Sequence, residues 1–495
     1  MRKALPIFYS ALLLTGVNLL LRVAGTSFQV YLSSRIGAAG IGLLQLTLSV
    51  GGMAMVAGMA GIRTATMYLT AEELGKKRSQ NVTWVLSGCI LYSILCSGAV
   101  ALILYSFAPV IAERWIGDIR TVDALRLLAA FLPVSCLCGV MTGYFTAAQR
   151  IGTLAAVEVT EQLCSMTVTL TLLRFRAGSD PAMACQCVVL GSAMGGCITL
   201  LSLLLLRLLE KPSTGSRIPI AHRLKETALP LALADDLRTG ISTVENLMVP
   251  KRLALNTLVE DPLAAFGMIS GMVFPILMFP ACILYGLAEL LIPELARCAA
   301  AGSRNRIVYL VRRSLRVAML YGVLFGGLMF LMAEFLCLRL YGSPEAGTCL
   351  RLYALLVPML YCDAITDAMT KGLGQQKACV RYNILTNTLD VVFLYLLLPR
   401  WGTNGYFVSF LITHLLNFML SLGRLLKITG MALPFPVPAF TIAASLGSVF
   451  VVSHLSQPGL QAAVYPIVLG CTLYLLKVIS REDIAWLKGL MIKGK

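Results

Sequence analysis

An all-α, polytopic membrane protein of about fourteen transmembrane helices is the fold class this sequence predicts, and three observations predict it. Apolar residues make up 58% of the 495 and charged residues only 13%, with a mean hydropathy of +0.82, a composition outside the range of soluble domains. Apolar runs of about 20 residues, the length that crosses a ~30 Å hydrocarbon core as a helix, recur along the chain. Lys and Arg concentrate in alternate loops, as membrane insertion demands. With the spans given below, and basic residues within two positions of a span end counted with the adjoining loop, 27 of the 41 fall on one side and 11 on the other, and Arg22, Arg63 and Arg238 lie deeper within spans. This asymmetry places both termini in the cytoplasm of a multi-pass protein of the cytoplasmic (inner) membrane, because one missed or invented span would scramble it from that point onward.

Taken in order, the first six spans lie near 5–32, 41–69, 84–107, 125–147, 154–173 and 181–206. Arg2 and Lys3 lead directly into the first, which reads as an uncleaved span. These six form an N-terminal bundle, 1–210. The polar stretch 211–227, with Lys211, Pro212, Ser213, Gly215, Arg217, Arg223 and Lys225, reads as a cytoplasmic linker. A second six-helix bundle, 228–428, has spans near 228–249, 262–293, 315–338, 352–372, 382–398 and 406–426. Residues 429–495 add two further spans, near 438–455 and 460–476, and a basic cytoplasmic tail. The halves echo each other: Met141-Thr142 and Met369-Thr370 precede the polar ends of spans four and ten, and Arg35 after span one matches Arg252 after span seven. Six spans per half make such a repeat parallel, with a central cavity, the architecture of an alternating-access transporter.

Several function classes fall away on composition. The fifteen cysteines sit mostly inside apolar runs without metal-ligand spacing, so they read as packing residues. No metal or cofactor is expected. The net charge of +17 is spread over short loops, which argues topology and no nucleic acid. Asn81-Val82-Thr83 has the glycosylation spacing but falls on the cytoplasmic side. No loop is long enough for a nucleotide-sugar domain, and no nucleophile or phosphate-binding loop is present, so the protein reads as no enzyme.

The residues Leu21-Arg22-Val23-Ala24-Gly25, Arg35-Ile36-Gly37, Gly143-Tyr144-Phe145 and Thr160-Glu161-Gln162 carry a family resemblance in the first half. In the second it is carried by Asn246-Leu247-Met248-Val249-Pro250-Lys251-Arg252-Leu253, the 267–271 segment with Pro275 and Pro280, Leu291-Ile292-Pro293-Glu294 and Lys371-Gly372-Leu373-Gly374. Over nearly its whole length the chain resembles the polysaccharide-exporter and lipid-flippase branch of the multidrug/oligosaccharidyl-lipid/polysaccharide (MOP) superfamily, in particular its stage V sporulation protein B-like members, and is similar to the lipid II flippases. The resemblance implies translocation of an undecaprenyl-pyrophosphate-linked saccharide or peptidoglycan precursor for cell-wall, spore-cortex or polysaccharide synthesis. It also implies wall-synthesis enzymes as partners, and a groove for the isoprenoid tail at the last two spans. Arg22 falls where the lipid II flippases carry a functional arginine; their second arginine and its adjacent aspartate are Phe28 and Gln29 here.

Ionisable groups at membrane depth cost roughly 2.5–3.5 kcal/mol each to insert, so they face a cavity or a partner. Arg22, mid-span, can grip a pyrophosphate through paired hydrogen bonds or pair with Glu158 or Asp236. Arg63 either joins it or snorkels to the headgroups. Glu158 and Glu161 share one face of span five, where they share a proton or cation or pair with arginines. On span seven, Asp235 and Arg238 have the spacing of an intrahelical pair, leaving Asp236 and Glu245 to line the cavity. Arg22, Arg63, Glu158, Glu161, Asp236, Arg238 and Glu245 are therefore the substrate-binding candidates. Asp363, Asp367 and Asp390 are candidates for a coupling cation or proton. Pro275 and Pro280 inside span eight invite a kink. His414 reads as a hydrogen-bonded packing residue. Two rival functions remain on these residues: cation-coupled multidrug efflux, and a non-transporting scaffold of a wall-synthesis complex.

Overall fold

The computed structural model describes residues 5–76, 78, 81–177, 180–209, 221–431 and 436–478. Every regular element among them is helical. In chain order the α-helices are α1 (Leu5–Met59), α2 (Ile62–Gly75), α3 (Val82–Val110), α4 (Val122–Ala147), α5 (Ile151–Leu172), α6 (Pro181–Leu208), α7 (Ala221–Leu253) and α8 (Pro262–Met268). They continue with α9 (Phe274–Met278), α10 (Ala281–Ala300), α11 (Arg304–Tyr341), α12 (Pro344–Ala354), α13 (Val357–Gly372), α14 (Gln376–Thr429), α15 (Pro436–Ser453) and α16 (Pro458–Leu475). Among the described residues seven helices are long and apolar enough to cross a membrane, or up to nine when each bent pair counts as one span.

Two of these helices, α1 and α14, are each more than twice as long as a bilayer core is thick. Fifty-five continuous residues, the length of α1, would run roughly 80 Å against a core of ~30 Å. Each is divided by a glycine in a conformation that L-residues avoid: Gly37 at φ 70°, ψ −178° in α1 and Gly402 at φ 56°, ψ −134° in α14. Arg35-Ile36-Gly37 is therefore a turn between two helical segments, as the sequence reading places it.

The chain forms two compact units, one of residues 1–271 with 391–405, the other of 272–390 with 406–495. The first continues through α7 and α8, past the 211–227 stretch read as a linker. Residues 211–220 lie outside the described residues, and 221–227 already belong to α7. What holds α8 to the first unit is a close backbone approach. A Cβ on Gly267 would collide with the Ala38 carbonyl oxygen and sit 2.5 Å from the Gly42 nitrogen; one on Gly42 would meet the Leu263 carbonyl oxygen; one on Gly271 would strike Ile41. Small residues spaced by four let membrane helices pack this closely. Gln29 Nε2 donates to the Gly271 carbonyl at 3.2 Å and so fastens α1 to this segment. α7 is tied to the second half of α1 through Ser49, whose carbonyl accepts from Thr243 and whose hydroxyl accepts from Asn246. At the other end of α7, Arg252 lies 3.6 Å from the centroid of the Tyr395 ring and donates to the Tyr395 carbonyl, and Asn256 donates to that of Pro399. The core of this unit, around Ile62, Leu86, Met141, Phe145 and Leu203, is apolar and fully buried.

The kink read from Pro275 and Pro280 is present. Pro275 stands in the first turn of α9, and Pro280 separates α9 from α10. Two backbone carbonyls at the bend accept from tyrosines on neighbouring helices: Tyr361 Oη donates to Leu277 and Tyr321 Oη to Pro280, each at 2.8 Å. Tyr361→Phe leaves the Leu277 carbonyl unpaired and is expected to cost about 1 kcal/mol, measured as a lower thermal midpoint in detergent; an unchanged midpoint would show that the bend does not depend on this donor. A second bend, of 56°, separates α12 from α13.

α15 and α16 dock on α11. The Tyr465 hydroxyl donates to the Val323 carbonyl at 2.8 Å, lies 3.0 Å from Ser445 Oγ, and occupies the space where Gly327 has no side chain. The fifteen cysteines are buried or half-buried apart from Cys471, which is exposed.

Candidate functional site

In the first unit the polar residues of α2, α5 and α6 converge because glycines let their helices approach. A Cβ on Gly191 would collide with Thr169, and one on Gly195 would lie 3.2 Å from the Glu161 carbonyl oxygen. One turn beyond Gly195, Thr199 Oγ1 donates to Glu161 Oε2 at 2.7 Å. On the neighbouring face, a Cβ on Gly143 would lie 2.5 Å from the Arg63 carbonyl oxygen, so α4 presses directly on the backbone that carries Arg63. Glu158 is half-buried on α5, and the charges of Arg63 and Glu161 both act on it. Arg63, Glu158 and Glu161 thus form one electrostatic cluster. Arg22 is exposed on α1, three residues before Gly25, whose absent side chain would lie 3.9 Å from Gln162 on α5.

Span seven differs from expectation. No ion pair joins Asp235 to Arg238 among the described residues, and both side chains are exposed. Asp236 is half-buried, with Oδ1 enclosed and without a hydrogen-bond partner among the described residues. Glu245 is half-buried on the same helix. The helix winds Asp235 and Asp236 onto adjacent faces, and spacing alone did not make Arg238 the partner of either.

In the second unit the three aspartates have different surroundings. Asp367 is joined to Lys371 at 2.6 Å, one turn along α13. Asp363, one turn earlier, accepts from Asn417 Nδ2 at 3.2 and 3.1 Å on its two oxygens. Asp390 is buried and accepts from Ser409 and from Thr413 on the returning half of α14, at 2.5 and 3.2 Å. His414 stacks on Phe410 with centroids 3.8 Å apart, and its Nδ1 lies 3.0 Å from the Phe410 carbonyl oxygen, which is the packing role expected. Thr199, Asn417, Ser409 and Thr413 are neutral partners that the sequence reading missed; the available signal was a hydroxyl or amide one helical turn from a glycine or on the antiparallel half of a hairpin. Among the described residues no three His, Cys, Asp or Glu side chains gather to hold a metal ion.

The second unit also contains an apolar groove of about 690 Å³, walled by α11, α13, the second half of α14 and α15, with Met319, Val323, Leu422, Ile442 and Leu446 among its lining residues. Of the two C-terminal spans read as a tail groove, α15 supplies a wall, whereas α16 lies behind it, held by Tyr465.

The MatE family profile matches residues 15–171. Stage V sporulation protein B of Bacillus subtilis (strain 168) is 22% identical over 464 residues, 90% of this chain and 88% of that protein. Among solved structures, the lipid II flippase MurJ in an inward closed conformation aligns with a TM-score of 0.69 at 12% identity, over 95% of this chain and 99% of its own. A multidrug resistance MATE family transporter of the MOP superfamily, inward-facing, aligns with the same TM-score and identity over 85% and 100%. The chain is a multi-pass membrane protein homologous to stage V sporulation protein B, with the fold that the MATE transporters and the MurJ flippase of the MOP superfamily share.

Proposed function

We propose that this protein is a flippase that moves an undecaprenyl-pyrophosphate-linked saccharide or peptidoglycan precursor across the cytoplasmic membrane by alternating access, through about fourteen crossings with both termini cytoplasmic. The observation that carries the reading is the 690 Å³ apolar groove of the second unit, which suits a long hydrocarbon tail that stays at membrane depth while a polar headgroup crosses. Arg22 and Arg63 hold the pyrophosphate, for which a guanidinium's paired donors are suited. Glu158, Glu161, Asp236, Arg238 and Glu245 complete the polar lining, and Asp363 and Asp390, each hydrogen-bonded to neutral side chains, serve a coupling cation or proton. Asp367 is set apart by its bond to Lys371. Multidrug efflux is the second reading, favoured by a fold likeness to the MATE transporter equal to that to MurJ.

The test is transbilayer movement of a fluorescent undecaprenyl-pyrophosphate sugar in vesicles holding the purified protein, with and without a membrane potential. Movement by wild type that falls at least tenfold in Arg22→Ala is expected. Drug-cation export with no lipid movement would replace this reading by efflux, and activity in neither assay would favour the scaffold.

A further inference from the structure

A second, smaller pocket of about 340 Å³ opens where α11 begins and α14 ends, lined by Arg304, Asn305, Val308, Arg312, Thr429 and Met431. It stands at the end of the apolar groove. Arg312 is one turn from Leu315 and Thr429 one turn from Leu426, and Leu315 and Leu426 both line the groove. From Leu315 to Phe330 on α11 the groove follows the helix for roughly 22 Å, most of an apolar core of ~30 Å. A lipid-length apolar trough with a cationic mouth is the shape of one amphiphile.

Among the described residues nothing neutralises the two guanidiniums of the mouth. Neither Arg304 nor Arg312 has a carboxylate partner among the described residues, and both are exposed. Arg306, between them in sequence, is bonded to Glu294 at 2.6 Å. Arg304 Nη2 makes one long contact, 3.5 Å, to the Thr429 carbonyl, and it reaches the pocket because Gly430 has no side chain in its way. Most of its five donors stay available. Two arginines facing one pocket match a pyrophosphate, with more than one negative charge, better than the single charge of a bilayer phosphodiester.

We propose that Arg304 and Arg312 form a loading site, separate from Arg22 and Arg63, at which the pyrophosphate of a polyprenyl lipid docks while its isoprenoid chain lies in the groove. This rests on the flippase reading for the identity of the lipid. The arginines hold the headgroup at the membrane surface next to a tail already threaded at depth, so docking precedes passage.

The test is binding to the full chain in detergent, read by native mass spectrometry, of undecaprenyl pyrophosphate, undecaprenol, phosphatidylglycerol and inorganic pyrophosphate. Undecaprenyl pyrophosphate is expected to bind at least tenfold more tightly than each of the others. Arg304→Gln/Arg312→Gln should lose that tenfold, Arg306→Gln should not, and Gly423→Trp, which fills the groove, should weaken undecaprenyl pyrophosphate while sparing inorganic pyrophosphate. In the vesicle assay the double glutamine variant should raise KM with kcat kept. Equal binding of phosphatidylglycerol would overturn the assignment in favour of a bilayer lipid, and equal binding of inorganic pyrophosphate in favour of a plain anion site. Unchanged binding in the double variant, or binding that appears only after removal of residues 479–495, would also overturn it. Tight, arginine-dependent binding with no transport would leave the loading site standing and refute the flippase reading alone.

Discussion

Gly267→Leu is expected to give a protein that inserts poorly or unfolds at a much lower temperature in detergent, a loss of about 3 kcal/mol or more. The obstacle at residue 267 is backbone, the Ala38 carbonyl and the Gly42 nitrogen, and a rotamer change cannot clear it. Either α1 and the 262–271 segment separate, opening a void along the seam that includes Gly42 and Gly271, or the side chain is driven into strain. Gly98→Leu is the control: it too changes a glycine within an apolar helix, but nothing lies within 4 Å of its absent Cβ. Thermal midpoints of the two variants that fall together would show that the seam does not hold this unit together.

Arg63→Ala is expected to reduce lipid translocation roughly ten- to hundredfold, the effect of losing a charge-assisted hydrogen bond of about 1.5–3 kcal/mol to the transported phosphate. The structure supplies a competing role, since Arg63 also acts on the charge of Glu158. A double-mutant cycle separates the two. If Arg63 holds substrate, Arg63→Ala/Glu158→Ala transports as poorly as Arg63→Ala; recovery in the double variant would make Arg63 the ion partner of Glu158 and remove it from the substrate site. Expression and thermal midpoint should change little in either, because Arg63 is exposed and Glu158 half-buried.

The fold class was legible in the sequence because hydropathy and charge are properties of the chain taken one segment at a time. A run such as 84–107 declares a membrane helix wherever it packs, and Arg35-Ile36-Gly37 and Pro280 mark breaks through local backbone chemistry. The extents of helices were less legible. α7 begins at Ala221 inside a polar stretch read as linker, since helical hydrogen bonding within the segment does not require apolar side chains. The candidate charges could be named for a similar reason: an Arg or Glu within an apolar run is conspicuous and costly.

What the charges pair with was decided only in three dimensions. Asp235 and Arg238 have the right spacing on one helix yet make no ion pair, whereas Asp363 is bonded to Asn417, 54 positions away, and Glu161 to Thr199, 38 away. Such partners are chosen by how closely helices approach and at what register, which depends on glycines such as Gly195 and Gly267 facing backbone rather than lipid. The sequence by itself determined a helical, multi-pass membrane protein and the identities of its intramembrane charges, because each follows from residues counted along one segment. The tertiary structure decided which charges meet, where α15 walls the apolar groove, and that Arg304 and Arg312 stand at its mouth, because those depend on distances between segments that hydropathy does not encode.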